Sequence, residues 1–184
     1  PIYVVPRDVD GTVPGSEPLF YTHGVYWQDV NFQLGCLDTE VPDWSDLSWH
    51  ADVPAGSSVE FALCTAPTAA ELDTCMPIPV ATVVGSGTCS VDADCGLGFC
   101  AQNGVCQTIT SGECLEDGNC ALGSTCVGGT CVYRKQPVYV GQALGPSNLN
   151  SFLRMQLTLN ANVVNNDSPV VYDWALTYLC RGNL

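Results

Sequence analysis

Basic residues are nearly missing from this sequence. Lys135 and four arginines stand against nineteen acidic side chains, which leaves a net charge of −14 over 184 residues. A surface of that sign repels phosphate backbones and anionic lipid headgroups, so nucleic acid and membrane surfaces are excluded as partners. No apolar run approaches the roughly 20 residues that a bilayer-spanning helix needs. Helical periodicity is also scarce: only residues 68–75, with Ala69, Ala70 and Leu72, could form a turn or two. Histidine is limited to His23 and His50. Neither lies in a His-Glu-x-x-His arrangement, and no Gly-x-Ser-x-Gly elbow offers an activated serine. These absences point away from catalysis.

What the chain does have is cysteine, twelve in all, and eight of them crowd into residues 89–131. Two units follow one another there. Cys89, Cys95, Cys100 and Cys106 mark residues 89–106, and Cys114, Cys120, Cys126 and Cys131 mark residues 114–131. Few Leu, Val or Phe accompany them, so covalent bridges rather than an apolar core must hold the segment. Structural zinc would ask for Cys-x-x-Cys pairs with histidine partners, which the spacings do not supply. An even count with this clustering implies disulfides made outside the cytosol. Within each unit, first-to-third with second-to-fourth pairing is favoured over two alternatives. Of the remaining cysteines, Cys64 and Cys75 could close a short loop, and Cys36 and Cys180 could tie an early strand to the last one. The chain starts at Pro1 rather than Met, as expected for an extracellular or cell-surface chain whose export signal has been removed.

The rest of the sequence reads as short strands. Alternation is clear in residues 58–64, where Val59, Phe61 and Leu63 oppose Glu60, Ala62 and Cys64. It returns in residues 152–160, where Leu153, Met155, Leu157 and Leu159 oppose Arg154, Gln156 and Thr158. In residues 170–180, Tyr172, Trp174, Leu176 and Tyr178 are expected on one face, and aromatic and β-branched residues mark 19–34 as a further strand region. Pro, Gly, Asn and Asp clusters separate these runs. The fold class that follows is all-β: an antiparallel β-sandwich, jelly-roll or immunoglobulin-like, carrying an inserted disulfide-rich tandem repeat of little regular structure. Residues 1–18 read as an N-terminal arm or edge strand, 19–88 and 132–184 as the two parts of the sandwich, and 89–131 as the insertion.

The pattern Cys89-x-x-Asp92-x-Asp94-Cys95, with Gly98-Phe99-Cys100 and Gly104-Val105-Cys106, resembles the Dickkopf-like or colipase-like cysteine repeats of secreted proteins in myxobacteria and related proteobacteria. Residues 49–61, 65–72 and 168–180 are similar to a β-sandwich module of large surface proteins in the same bacteria. The resemblance implies a secreted or cell-surface protein. The second repeat departs from the pattern, with Glu116-Asp117-Gly118-Asn119 in place of the alternating aspartates.

Several groups are candidate sites. Asp92 and Asp94 could share a Ca²⁺ with backbone carbonyls of a tight loop, against the plainer reading of solvated turn carboxylates. Asp8-Val9-Asp10-Gly11-Thr12 matches the start of a phosphatase signature, but that chemistry needs a parallel strand alternating with helices and a Mg²⁺ site, so a polar turn is the better reading. Trp27, Trp44, Trp49 and Trp174, with Tyr21, Tyr26 and Tyr172, are numerous enough for a platform that stacks on sugars, with Trp44, Trp49 and Tyr26 as the candidate ligand contacts, although core packing is the default for such residues. Trp44 is expected to be the most exposed, because Pro42, Asp43, Ser45 and Asp46 surround it. Finally, Ile2-Tyr3-Val4-Val5 is a short apolar run followed by a Pro- and Gly-punctuated link. Such an arm can add a strand to a sheet edge, in its own domain or in a neighbour. The expectation is therefore a non-catalytic secreted or surface subunit that self-assembles, in a filament where the arm is exchanged head to tail, or that binds other surface proteins. A carbohydrate-binding or adhesive module is the alternative, and a secreted hydrolase the weaker one.

Overall fold

The computed structural model describes residues 23–31, 36–37, 39–145, 149–162, 164 and 167–182. Their strands are β1 (His23–Asn31), β2 (Glu40–Asp52), β3 (Ser58–Ala66), β4 (Ile78–Thr88), β5 (Phe99–Cys100), β6 (Val105–Glu113), β7 (Ser124–Val127), β8 (Thr130–Tyr133), β9 (Val138–Tyr139), β10 (Phe152–Asn160) and β11 (Val170–Gly182). One four-residue helix, α1 (Gly141–Leu144), follows β9. Every strand pairing is antiparallel. The large sheet runs β1-β10-β3-β4-β6-β8-β7, with β5 also paired to β6, and the small one runs β11-β2-β9.

Alternation explains which faces meet. Val59, Phe61 and Leu63 of β3 and Leu153 and Met155 of β10 are at most 1 % exposed, and they pack in one cluster with Trp44, Leu47 and Trp49 of β2. The indole of Trp49 stacks on Phe61 across the two sheets, centroids 4.5 Å apart. The fold is thus an all-β, disulfide-rich sandwich. β3 is also covered on its outer face. There Cys64, Ala66 and Leu72 form a second cluster beneath a 3-10 turn at Ala69–Thr74, the one helical segment expected from sequence. The Cys64–Cys75 bridge fastens that turn to the strand.

Two details differ from the sequence reading. The segment joining the cysteine repeats is β6, which pairs with both β4 and β8 and buries Ile109 completely, so the large sheet runs through the repeats. In β11, the register shifts between Val171 and Asp173 and again between Leu176 and Tyr178. These bulges re-aim the side chains: Trp174, Leu176 and Tyr178 pack on the core, whereas Tyr172 is 43 % exposed and lies against the exposed His50 ring.

The disulfides are Cys36–Cys180, Cys64–Cys75, Cys89–Cys100, Cys95–Cys106, Cys114–Cys126 and Cys120–Cys131, the pairs favoured from sequence. Both repeats share one design. A 3-10 turn (Asp92–Cys95, Asp117–Asn119) precedes a hairpin that sets the third cysteine opposite the fourth. In the second hairpin the turn is Gly128-Gly129 with φ of 60° and 88°, a left-handed conformation that favours glycine.

Candidate functional site

Among the described residues, the large sheet ends at β1 and β7 and the small one at β11 and β9. Trp49 sets β2 over β3 through its stack on Phe61. β9 lies towards the other flank, since α1 packs on β4 and the Tyr133 hydroxyl of β8 donates to the Tyr139 carbonyl at 3.4 Å. Among the described residues, β1 pairs only with β10 and β11 only with β2, so each is an edge strand of its sheet. Exposed edges usually carry lysine, proline or inward charges that discourage pairing. β11 is thirteen residues long with neither Lys nor Pro, and its charged residues are Asp173 and Arg181, the latter paired with Asp43. Val170, Tyr172 and Leu179 are 44, 43 and 64 % exposed along it.

Parts of the sandwich interior are short of hydrogen bonds. Trp49 and Trp174 are register partners across β2 and β11, and the indole N–H of each is buried without an acceptor. The side-chain carbonyl of Gln28 on β1 is likewise buried without a donor. Such groups are rare in folded proteins, because leaving one unpaired costs about 1–3 kcal/mol.

Outside, the large sheet carries one prominent aromatic. Trp27 is 68 % exposed, opposite Gln156 on β10, with Val25 beside it at 41 %. On the same face, the Arg154 guanidinium grips Asp29 of β1 at 2.6 and 2.8 Å, and reaches Asp73 and the Leu72 carbonyl of the 3-10 turn at 3.1 Å each. The Arg154 hydrogen bond holds the Asp29 carboxyl below the usual aspartate range, although burial opposes it. On the small sheet, the Tyr172 hydroxyl donates to Asp52 at 2.6 Å, and this bond raises its pKa.

The structure relocates the ligand contacts read from sequence. Trp44 is fully buried rather than exposed, because its polar neighbours are satisfied in the sheet: Asp43 pairs with Arg181, and the Asp46 amide donates to Thr177. Its indole N–H donates to the Asn150 carbonyl at 3.0 Å. Trp49 is 7 % exposed and belongs to the core, and Tyr26 is half-buried on the inner face of β1. Among the described residues, the exposed aromatics are Trp27 and Tyr172, which the sequence reading counted among the side chains able to form a stacking platform but placed behind Trp44; their alternation with buried neighbours was the available signal. His23 Nδ1 lies 2.8 Å from Asn160 Oδ1. Ile2, Tyr3, Val4 and Val5, together with Asp8 and Asp10, lie outside the described residues.

Asp92 and Asp94 serve the backbone. Asp94 Oδ2 accepts from the amides of Ser90 and Val91, which lowers its pKa, and Asp92 Oδ1 accepts from that of Cys100. Among the described residues, the groups of three potential metal ligands all include cysteines, and every one of those cysteines is in a disulfide. A bridged sulfur is not the thiolate that binds metal. A hollow of about 230 Å³ lies between the second repeat and the sandwich, lined by Val80, Glu113, Asn119, Tyr133, Tyr139 and Gln142 among others. Burial raises the pKa of Tyr133 there, so it stays a neutral hydroxyl.

Comparison of the chain with known protein families, with curated proteins and with solved structures finds no match.

Proposed function

We propose that this chain is a non-catalytic subunit of an extracellular or cell-surface assembly, working by association with further copies of itself or with other surface proteins. The observation that carries the reading is β11, a thirteen-residue edge strand with neither Lys nor Pro, beside which no further described strand pairs than β2. Six disulfides support an oxidising compartment, and such bridges suit a part that must keep its shape outside the cell. The Ile2–Val5 run supplies a segment able to pair with an edge, and head-to-tail exchange of it would build a filament. The test is the assembly state of the chain by light scattering and electron microscopy, beside a version lacking residues 1–18. Regular polymers that vanish with those residues are expected; stable monomers in both cases would overturn the proposal.

A second reading has one observation in its favour. Trp27 stands exposed on the outer face of the large sheet with Gln156, Thr158 and Glu60 nearby in the pairing register, an aromatic platform bordered by hydrogen-bonding groups that suits a sugar ring. Binding on a glycan array that Trp27→Ala abolishes would establish it, and an array without signal would remove it.

A further inference from the structure

We infer that the outer face of the large sheet binds a neutral polysaccharide, laid across the strands from Trp27 on β1 towards β6, so that its sugar rings meet several strands in turn. The inference rests on the carbohydrate reading of Trp27 and gives the ligand a charge class, a direction and a length.

The pairing register fixes a row of side chains on that face. Val25, Thr158, Glu60, Thr82 and Thr110 are successive partners on β1, β10, β3, β4 and β6. All five face outward, because Tyr26, Leu157, Phe61, Val83 and Ile109, one position away on each strand, pack in or against the core. Trp27 is 68 % exposed on the same face of β1, opposite Gln156. With strands about 4.8 Å apart, the row spans roughly 19 Å from β1 to β6, which accommodates several pyranose rings rather than one. The Thr158 and Thr82 hydroxyls and the Gln156 amide both donate and accept, as sugar hydroxyls require, while Trp27 offers its ring to the C–H side of a pyranose.

Charge selects among glycans. The chain carries a net −14, which repels uronic-acid and sulfated polymers and equally a second copy of itself. Arg154, next along this face of β10 from Gln156, is already engaged by Asp29 and Asp73, so it is not free to hold an anionic group. The row contains one carboxylate, the half-buried Glu60, which takes no part in the ion pairs among the described residues. A polycationic partner would meet several carboxylates. A single one among neutral hydrogen-bonding groups suits a polyhydroxylated ligand, since its two oxygens can accept from adjacent hydroxyls of one ring.

The test is calorimetric titration of the full-length, disulfide-bonded chain with neutral oligosaccharides of glucose, mannose, galactose and xylose, from disaccharide to hexasaccharide, and with polygalacturonate and heparin. Affinity for at least one neutral series is expected to rise with added rings and to level off once the row is spanned. That trend needs no substitution, so it is independent of any variant's folding. Trp27→Ala should weaken hexasaccharide binding about tenfold. Thr82→Val, which keeps the side-chain shape and removes the hydroxyl, should weaken it about threefold and leave the disaccharide unaffected, and Glu60→Gln should also weaken it about threefold. Equal affinity for disaccharide and hexasaccharide, a preference for polygalacturonate or heparin, or indifference to both Thr82→Val and Glu60→Gln overturns the assignment and leaves a sugar site at Trp27 standing. No binding to any of these ligands or on the glycan array overturns both, and self-association abolished by Trp27→Ala would then give the face to a second copy.

Discussion

Asn119 in the second cysteine repeat does the work that Asp94 does in the first. Each side-chain oxygen accepts two successive backbone amides, Leu115 and Glu116 for Asn119, Ser90 and Val91 for Asp94. Asp117 matches Asp92 in the same way, accepting from Cys126 as Asp92 does from Cys100. The departure of the second repeat at the sequence level is therefore a conservative exchange of one acceptor for another.

That equivalence predicts how the repeats respond to acid. The folded-state pKa of Asp94 is lowered, so its stabilisation is fully present above the unfolded value, about 3.9, and is lost as pH falls through the lowered folded value. Asn119 has no such dependence. Asp94→Asn should leave the melting temperature at pH 7 nearly unchanged and flatten its decline as pH falls below the unfolded aspartate value. If the carboxylate matters only as an acceptor, added Ca²⁺ will shift the melting temperatures of parent and variant equally. A larger shift in the parent would show that Asp94 binds the ion.

Arg154 holds three elements together: β10 on which it lies, β1 through Asp29, and the 3-10 turn through Asp73 and Leu72. Asp29 and Asp73 are well exposed, with side chains 48 and 77 % accessible, so solvent screening limits the worth of the cluster. Arg154→Met should cost about 1 kcal/mol at neutral pH, less in high salt. Because the Asp29 pKa is depressed, the parent should lose this advantage as pH falls through that lowered value, and the two denaturation curves should converge once the carboxyl is protonated in the folded chain.

Gly85 allows an approach that no other residue could make. A Cβ there would stand 2.1 Å from the Pro54 carbonyl oxygen, backbone that cannot turn aside, while the Gly85 amide donates to Ser57 and its carbonyl accepts from Gly56. Gly85→Ala should destabilise the chain by about 1–3 kcal/mol. Gly87, whose Cβ would meet nothing, is the control, and its replacement by Ala should be nearly neutral in the same denaturant titration.

The strands legible in the sequence were those with one face in the core and one outside. β10 has the expected bounds because Leu153, Met155 and Leu157 go inward while Arg154, Gln156 and Thr158 face out. β2 was not legible: Pro42, Asp43, Ser45 and Asp46 read as a loop, and only the arrival of Arg181 and Thr177 from β11 makes them strand residues. That long-range pairing also buries Trp44, so the error over the strand and the error over the ligand contact have one origin. The edge positions of β1 and β11 were invisible for a related reason, since which strands lie at an edge depends on sheet order, and spacing along the chain does not encode it.

Trp27 and Trp44 should therefore separate stability from surface recognition. Trp27 is 68 % exposed, and Trp27→Ala should change stability by no more than about 0.5 kcal/mol while removing whatever the outer face of the large sheet binds. Trp44→Phe loses the bond to the Asn150 carbonyl and should cost about 1 kcal/mol for that bond. It should leave binding at the Trp27 face unchanged, in thermal melts and glycan titrations run side by side.

The Cys36–Cys180 bridge closes the longest loop in the chain, with a sequence separation of 144, and it anchors the far end of the β11 edge. By the loop-entropy argument such a closure is worth up to about 5 kcal/mol. Cys180 is exposed and Cys36 half-buried, whereas Cys64 is 1 % exposed beneath its 3-10 turn, so a thiol reductant should open Cys36–Cys180 before Cys64–Cys75. Timed alkylation with mass spectrometry gives the order directly. Replacing both Cys36 and Cys180 by Ser should lower the melting temperature more than replacing the Cys64 and Cys75 pair, which closes only 11 residues, lowers it through loop entropy alone. Burial of Cys64 adds a packing loss to the second variant, so the comparison should be made with Cys64→Ala, which keeps an apolar group in that site. If copies associate through the β11 edge, the Cys36/Cys180 variant should also assemble more slowly than the parent at temperatures where both are folded, because the end of the strand is no longer pinned.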